Sequence, residues 1–374
     1  MSTNLTNESN RETSPKGKGR IRRVLKRAFY LIIVLIGTLA IYAWVTGARQ
    51  EPIETGEPQM KAVVYTDYGS PDVLQIRDIK KPVPNDDQIL IKVRAASVNP
   101  LDWHFMEGTP YIMRAMGVGL RKPKNPRLGV DMAGEVEAVG KNVTELKPGD
   151  EVFGGRDGAF AEYVCARADR AVVLKPANIT FAQAASVPVA AITALQGLRD
   201  KGKIKRGQKV LINGATGGVG SFAVQIAKSY GPEVTAVTST RNLDLVRSLG
   251  ADHVVDYTTT DFVGSGRRYD LVLDTVGNRS VPDLKRALAE GGKAAVTGFT
   301  SVAKLLGVSL RGGKDIAQVQ AHVTAKDLEL LSELIAAGKV RPQIDRRYPF
   351  AEIPAAIAYL EQGHARGKVV VEMA

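Results

Sequence analysis

Residues 213–220 read Asn-Gly-Ala-Thr-Gly-Gly-Val-Gly. Such a glycine cluster, set after a strand and at the start of a helix, can carry a phosphate. Gly217 permits the tight turn, Gly218 a close backbone approach, and Gly220, just past Val219, the packing of helix on strand. Backbone N–H groups at the helix start would then face a pyrophosphate. The first glycine of the usual dinucleotide fingerprint is replaced by Ala215. The next strand ends in Val-Thr-Ser-Thr-Arg-Asn, 237–242. An NADH site ordinarily has Asp or Glu there to bind the ribose hydroxyls. Ser239, Thr240 and Arg241 stand in its place, and hydroxyls with a guanidinium suit a 2′-phosphate that a carboxylate would repel. NADPH is therefore the expected cofactor; the plainer alternative has Arg241 capping a turn and facing water. Asp274 and Gly277, in Asp-Thr-Val-Gly, close a further strand at its carboxyl edge, where cofactors lie in such sheets.

These residues need a parallel sheet beneath them. Nearly continuous apolar runs at 209–214, 233–239, 253–257, 269–277 and 293–298 alternate with helical stretches at 218–230, 242–249 and 281–289. That is the pattern of strands buried on both faces under helices. A strand near 317–323 and a helix over 326–337 would complete it. Before Ala182 the rhythm differs. Short strands at 60–69, 88–98, 134–140, 151–153 and 159–166 are punctuated by turns such as Lys147-Pro-Gly-Asp150, which reads as a small β-rich, barrel-like domain. A helix over 353–362 and the strand Lys-Val-Val-Val-Glu-Met near the end read as a return to that first domain.

The first residues differ again. Residues 1–27 form a polar tail ending in a basic block, 16–27, that has no acid. Residues 28–48 carry no charge, and about 20 apolar residues span a hydrocarbon core as a helix. Tyr30, Tyr42 and Trp44 fall near its ends, where amphipathic rings settle. This predicts a single membrane-spanning anchor, with lipid as a partner, rather than a signal peptide, whose apolar region is shorter. The basic block would lie on the cytoplasmic side and the body opposite, whereas a nicotinamide enzyme needs a cytosolic cofactor; the two arguments oppose each other. Residues 49–59 read as a short linker.

Composition excludes several classes. The one cysteine, Cys165, closes no intrachain disulfide and builds no cysteine-rich zinc site. Of the net charge of +12, part lies in residues 1–59, and the rest is spread along the body without basic runs interleaved with aromatics, so nucleic acid is not an expected partner.

Read together, MKAVVYTDYGSPDVL, ASVNPLDW, GVDMAGEVEAVG, KPGDEVFG, GAFAEYV, NGATGGVG, SLGADHVVDY and HARGKVVV resemble the zinc-independent, quinone oxidoreductase-like branch of the medium-chain dehydrogenase/reductases. The resemblance runs from Met60 onward, where such members start, and marks 1–59 as an addition. It implies an α/β fold: a GroES-like β-rich catalytic domain over 60–185 and 338–374, a Rossmann doubly wound parallel-sheet domain over 186–337 that binds NADPH, and the transmembrane helix before both. It also implies a site in the cleft and a possible homodimer. The zinc-dependent branch has Cys, Gly-His-Glu and Cys as its ligand framework; the matching positions hold Asn99, Gly129-Val-Asp131 and Val189, so no metal is expected.

Without a metal to polarise oxygen, the substrate must accept hydride readily. Quinones and α,β-unsaturated carbonyls do so, because charge passes to a carbonyl oxygen that hydrogen-bond donors can stabilise. Asn99, at the lost ligand position, is one candidate donor, with a loop-holding role as the alternative. His104 resembles the proton-relay histidine of the zinc branch and is a candidate general acid. Thr193 matches a position near the nicotinamide. Lys368 is a candidate phosphate contact, a solvated lysine being its default. The irregular run 105–128 is expected to border the cleft, with Tyr111, Met113 and Met116 as possible lining. An alcohol or aldehyde dehydrogenase-reductase of the same superfamily, and a non-catalytic NADPH-binding sensor at a membrane, are the competing functions.

Overall fold

The structure is a computed structural model that describes residues 50–373 except 299, together with Tyr30, Val34 and 36–38. β1 (Gln59–Val64) and β2 (Gln75–Lys80) form an antiparallel pair. β3 (Gln88–Val98), β4 (Asp131–Val139), β5 (Glu151–Gly155), β6 (Tyr163–Arg167) and β7 (Val172–Leu174) follow, and β14 (Ile344–Pro349) and β15 (Lys368–Glu372) join them from the far end of the sequence. They make a seven-stranded sheet in the order β14-β15-β3-β4-β5-β7, with β6 on β3. The expected return of the C-terminal strand is thus found, against β3.

Between these lie β8 (Lys209–Asn213), β9 (Glu233–Thr238), β10 (His253–Asp256), β11 (Tyr269–Asp274), β12 (Leu288–Val296) and β13 (Ile316–Gln318), ordered β10-β9-β8-β11-β12-β13 and parallel throughout. The strand order reverses between β8 and β11, which opens a crevice at their carboxyl ends. Their Val, Leu, Ile and Ala side chains are buried on both faces, as helices on both sides require.

The helices are α1 (Pro100–Glu107), α2 (Phe181–Ala185), α3 (Pro188–Gln196), α4 (Gly218–Tyr230), α5 (Leu243–Ser248), α6 (Val281–Ala287), α7 (Val302–Arg311), α8 (Ala325–Ala336) and α9 (Ile353–Glu361). The helical run after Ala182 is divided into α2 and α3. Pro188 has no N–H to continue an earlier helix but suits the first turn of a new one. α7 lies where no helix was expected. One core joins the two sheets: Ala133 and Phe153 of the first pack with Ile192 and Leu195 of α3 and Val210 and Ile212 of β8.

The reading of 28–48 as a membrane-spanning helix needs correction. Among the described residues no helix is long and apolar enough to cross a membrane. Of that stretch, Tyr30, Val34 and 36–38 are described, as helix. The lipid partner and the single-pass membrane location go with it; the remainder of 28–48, Tyr42 and Trp44 included, lies outside the described residues, as does the tail 1–27. The linker is also firmer than expected, because 50–58 is laid against the first sheet, with Lys81 N–H donating to Pro58 O at 2.7 Å and Lys80 N–H to Glu54 O at 2.9 Å.

Candidate active site

Strand pairing sets the site. Val98 of β3 faces Val369 of β15, and Ser97 faces Asp131 of β4. The side chains of Asn99, Asp131 and Lys368 are thereby brought together at one end of three neighbouring strands. All three are buried, Lys368 at 4% exposure and Asp131 at 0%. Lys368 Nζ donates to Asn99 Oδ1 at 2.5 Å and to Val98 O at 3.3 Å, and lies 3.5 Å from Asp131 Oδ2. Asn99 Nδ2 donates to Asp131 Oδ2 at 2.9 Å and to Ser97 O at 3.4 Å. Asp131 also accepts from Ser97 Oγ at 3.0 Å and from Val189 N–H at 3.0 Å. The last bond sets a carboxylate on the first turn of α3, where the helix dipole favours an anion.

An ammonium amid amides and a carboxylate is a satisfied network at a strong electrostatic cost. Burial pushes Lys368 below the ordinary lysine range, and the Asp131 charge opposes that. Burial likewise pushes Asp131 up, against the pull of Lys368 and the bond from Asn99. The stem of Lys368 crosses the glycine loop, since a Cβ on Gly218 would lie 3.0 Å from Lys368 Cδ. Lys368 thus lies beside the loop, while its head is turned into the first sheet rather than left in solvent.

Asn99 has both amide hydrogens engaged, which fits the loop-holding alternative. Asp102, fully buried, accepts from Asn99 N–H at 2.8 Å and from Gly129 N–H at 3.1 Å. Burial raises its pKa to about 7. Gly129 sits at φ +93°, and a Cβ there would meet Phe160 N at 2.5 Å, so glycine is required. His104 is half-buried in the last turn of α1, its ring stacked on Trp103 at 4.7 Å; burial lowers its pKa. Thr193 Oγ donates one turn back to Val189 O at 2.6 Å, as helix threonines do.

The glycine loop forms as its residues predict. Gly217 is the N-cap of α4 in extended backbone, and Gly220 lies so close to the preceding turn that a Cβ would be 2.0 Å from Gly214 O. Val219 is half-buried beside them. Gly214 itself has φ +80° and presses on Thr275. Asp274 Oδ1 accepts from Asn213 Nδ2 at 2.8 Å, Val276 N–H at 3.1 Å and Gly277 N–H at 3.0 Å. It shapes the turn beside the loop and ties β11 to β8. Thr216 Oγ1 pairs with Thr238 Oγ1 at 3.0 Å and accepts from Asn242 Nδ2 at 3.3 Å, coupling the loop to the segment after β9. There Ser239 is half-buried, and its hydroxyl oxygen accepts from Asn242 at 3.2 Å. Thr240 donates to Asp256 Oδ2 at 2.5 Å. Arg241 is exposed, with Nη2 3.4 Å from His364 O.

Asp102, Asn213, Thr216 and Asn242 were not singled out in the sequence. Asn-x-x-Asp at 99–102 has the spacing of a helix-capping pair and could have pointed to Asp102. The other three are polar residues at strand and helix ends, with no pattern of their own.

A cavity of about 270 Å³ adjoins Asp102, Gly129 and Val130. Val118, Lys124 and Leu128 of the irregular run form its wall. Tyr111, at 73% exposure, faces solvent instead. A zinc ion does not fit the donors present. Asn99 and Asp131 already face an ammonium, Val189 offers no ligand, and tetrahedral zinc takes thiolate, imidazole or carboxylate. Among the described residues no group of three His, Cys, Asp or Glu could hold a metal ion.

Two family models match the chain: the alcohol dehydrogenase GroES-like domain over 85–177 and the zinc-binding dehydrogenase domain over 249–371. An NADPH-dependent alkenal/one oxidoreductase, chloroplastic, of Arabidopsis thaliana is 39% identical over 331 residues, 84% of this chain and 79% of that protein. A 2-methylene-furan-3-one reductase of Solanum lycopersicum is 37% identical, with the same coverage. Among solved structures, the quinone oxidoreductase from Coxiella burnetii superposes with a TM-score of 0.76 at 32% identity, over 84% of this chain and 100% of that one.

Proposed function

This chain belongs to the medium-chain dehydrogenase/reductase superfamily, and within it we propose that the protein reduces the conjugated double bond of an α,β-unsaturated carbonyl compound, or a quinone, with NADPH. It is an NADPH-dependent oxidoreductase of the quinone and enone reductase type. The observation that carries the choice of acceptor is the Lys368–Asn99–Asp131 network. Its polar groups serve one another instead of a metal, so a simple alcohol or aldehyde would lack the Lewis acid its chemistry asks for. A conjugated acceptor needs less help.

When bound, NADPH supplies the hydride. The residues would divide the remaining work. The first turn of α4 at Gly217–Gly220 takes the pyrophosphate, since its N–H groups have no partner within the helix. Ser239, with its hydroxyl proton free to point outward, and the exposed Arg241 take the 2′-phosphate. The Asp274 turn through Gly277, together with Thr193, would border the nicotinamide end. An enone acceptor gains hydride at its β-carbon and a proton at its α-carbon, and His104 is the candidate for relaying that proton.

Oxidation of NADPH against a panel of enones, quinones and saturated aldehydes tests this. Turnover of conjugated acceptors that survives exhaustive chelation is expected; turnover of saturated aldehydes only, restored by zinc, would overturn it. Arg241→Ala should weaken NADPH by roughly 10- to 100-fold, as expected for lost charge-assisted hydrogen bonds, and leave NADH almost unchanged. Isothermal titration of both nucleotides checks this.

A further inference from the structure

The stretch before β1 is fastened on two sides. Lys80 and Lys81 hold Glu54 and Pro58 on the β2 side, and Ile53 packs against a cluster that includes Met60, Val64, Ile79 and Ala161. On the other side Glu51 N–H donates to Lys124 O at 2.8 Å, and Gln50 Nε2 to Tyr65 O at 3.3 Å. Lys124 belongs to the irregular run that walls the cavity beside Asp102 and Val130, and Glu51 itself joins the lining. That run is held at its ends, where Arg114 donates to the Glu107 and Gly108 carbonyls at 2.8 Å and Tyr65 N–H to Pro126 O at 2.9 Å, and at Gly119, whose carbonyl accepts from the Tyr68 hydroxyl at 2.6 Å; between Gly119 and Pro126 the strap supplies a further tie. It passes through one short helical turn, Arg114–Val118, containing Gly117 at φ +114°, then Gly119 at φ +119°. It is pinned again where Lys124 N–H donates to Val118 O at 2.7 Å. The carbonyl of the same lysine is the one the strap holds.

We propose that residues 50–54 are part of the hydride-acceptor site: by gripping the Val118–Leu128 wall at Lys124, they set the size of acceptor admitted. This rests on the reductase reading. The cavity, about 270 Å³ and partly open to solvent, falls just under the roughly 300–1,000 Å³ of ordinary small-molecule pockets. With the strap seated, the site takes short enones and excludes long-chain ones.

Two full-length variants test it. Ile53→Asp pries the strap from its apolar seat, and Glu51→Pro removes the N–H that reaches Lys124 together with the Glu51 side chain at the lining. The measurements are kcat/KM for a four-carbon and a ten-carbon enone, NADPH affinity, and hydrogen exchange of the amides over 118–128. Both variants should raise the long-to-short kcat/KM ratio by about tenfold or more, the scale on which a pocket discriminates by size. They should speed exchange over 118–128 and leave NADPH affinity as it was. Unchanged ratios in both variants overturn the proposal, as does unchanged exchange. A wild-type protein that reduces no enone or quinone overturns the reductase reading, and exchange over 118–128 then shows separately whether the strap holds the wall.

Discussion

At Lys368 a positive charge is enclosed with one carboxylate close by and two amide-type oxygens in hydrogen-bond reach. Removing the cation alone strands Asp131. Lys368→Met should therefore cost about 3 kcal/mol or more in urea unfolding, and the double change Lys368→Met/Asp131→Asn should recover part of that loss. A surface lysine would show neither effect. Asp102 gives a pH signature. Burial raises its folded-state pKa from 3.8 to about 7, so the folded chain holds a proton that the unfolded chain has released. Its contribution to stability is full below about pH 4 and is lost as pH rises through 7. The thermal midpoint of the wild type should fall more steeply from pH 5 to pH 8 than that of Asp102→Asn; parallel slopes would contradict this. At this scale the sequence was legible where a residue's type dictates a backbone, as at Gly220. It was less legible for Lys368 and Asn99, whose partners lie about 270 residues apart and meet only through strand pairing.

Among the elements, α4 depends on its first turn. At Gly220 an added methyl would strike the Gly214 carbonyl, a backbone atom that cannot move aside. Gly220→Ala should lose about 1–3 kcal/mol and with it most NADPH affinity, measured by thermal melting with and without nucleotide. The sheet strands and α4 were readable because buried parallel strands leave unbroken apolar runs and α4 starts at its glycines. The division of α2 from α3 turns on one proline inside an otherwise helical run, and β13 shrank to Ile316–Gln318 because its apolar signal is weak. The stretch 49–59 looked like a linker because nothing in Pro, Glu and Gly residues announces which surface they will lie on.

Across the whole molecule, the two sheets share one core through α3. Unfolding should therefore appear as a single calorimetric transition, shifted upward by NADPH to the extent of about 2.7 kcal/mol at a hundredfold excess over its dissociation constant; two separated transitions would contradict the shared core. The first sheet also has a peculiar assembly history. β3 and β4 lie before the nucleotide-binding sheet in the chain and β15 lies after it, yet β15 pairs directly with β3. During synthesis the middle sheet can form while β3 still shows an open edge. That edge, Ala95–Val98 beyond the stretch β6 already pairs, is an adhesive template for neighbouring nascent chains until β15 emerges to cover it, so the protein's vulnerability to aggregation is concentrated in the interval before β15 is in place.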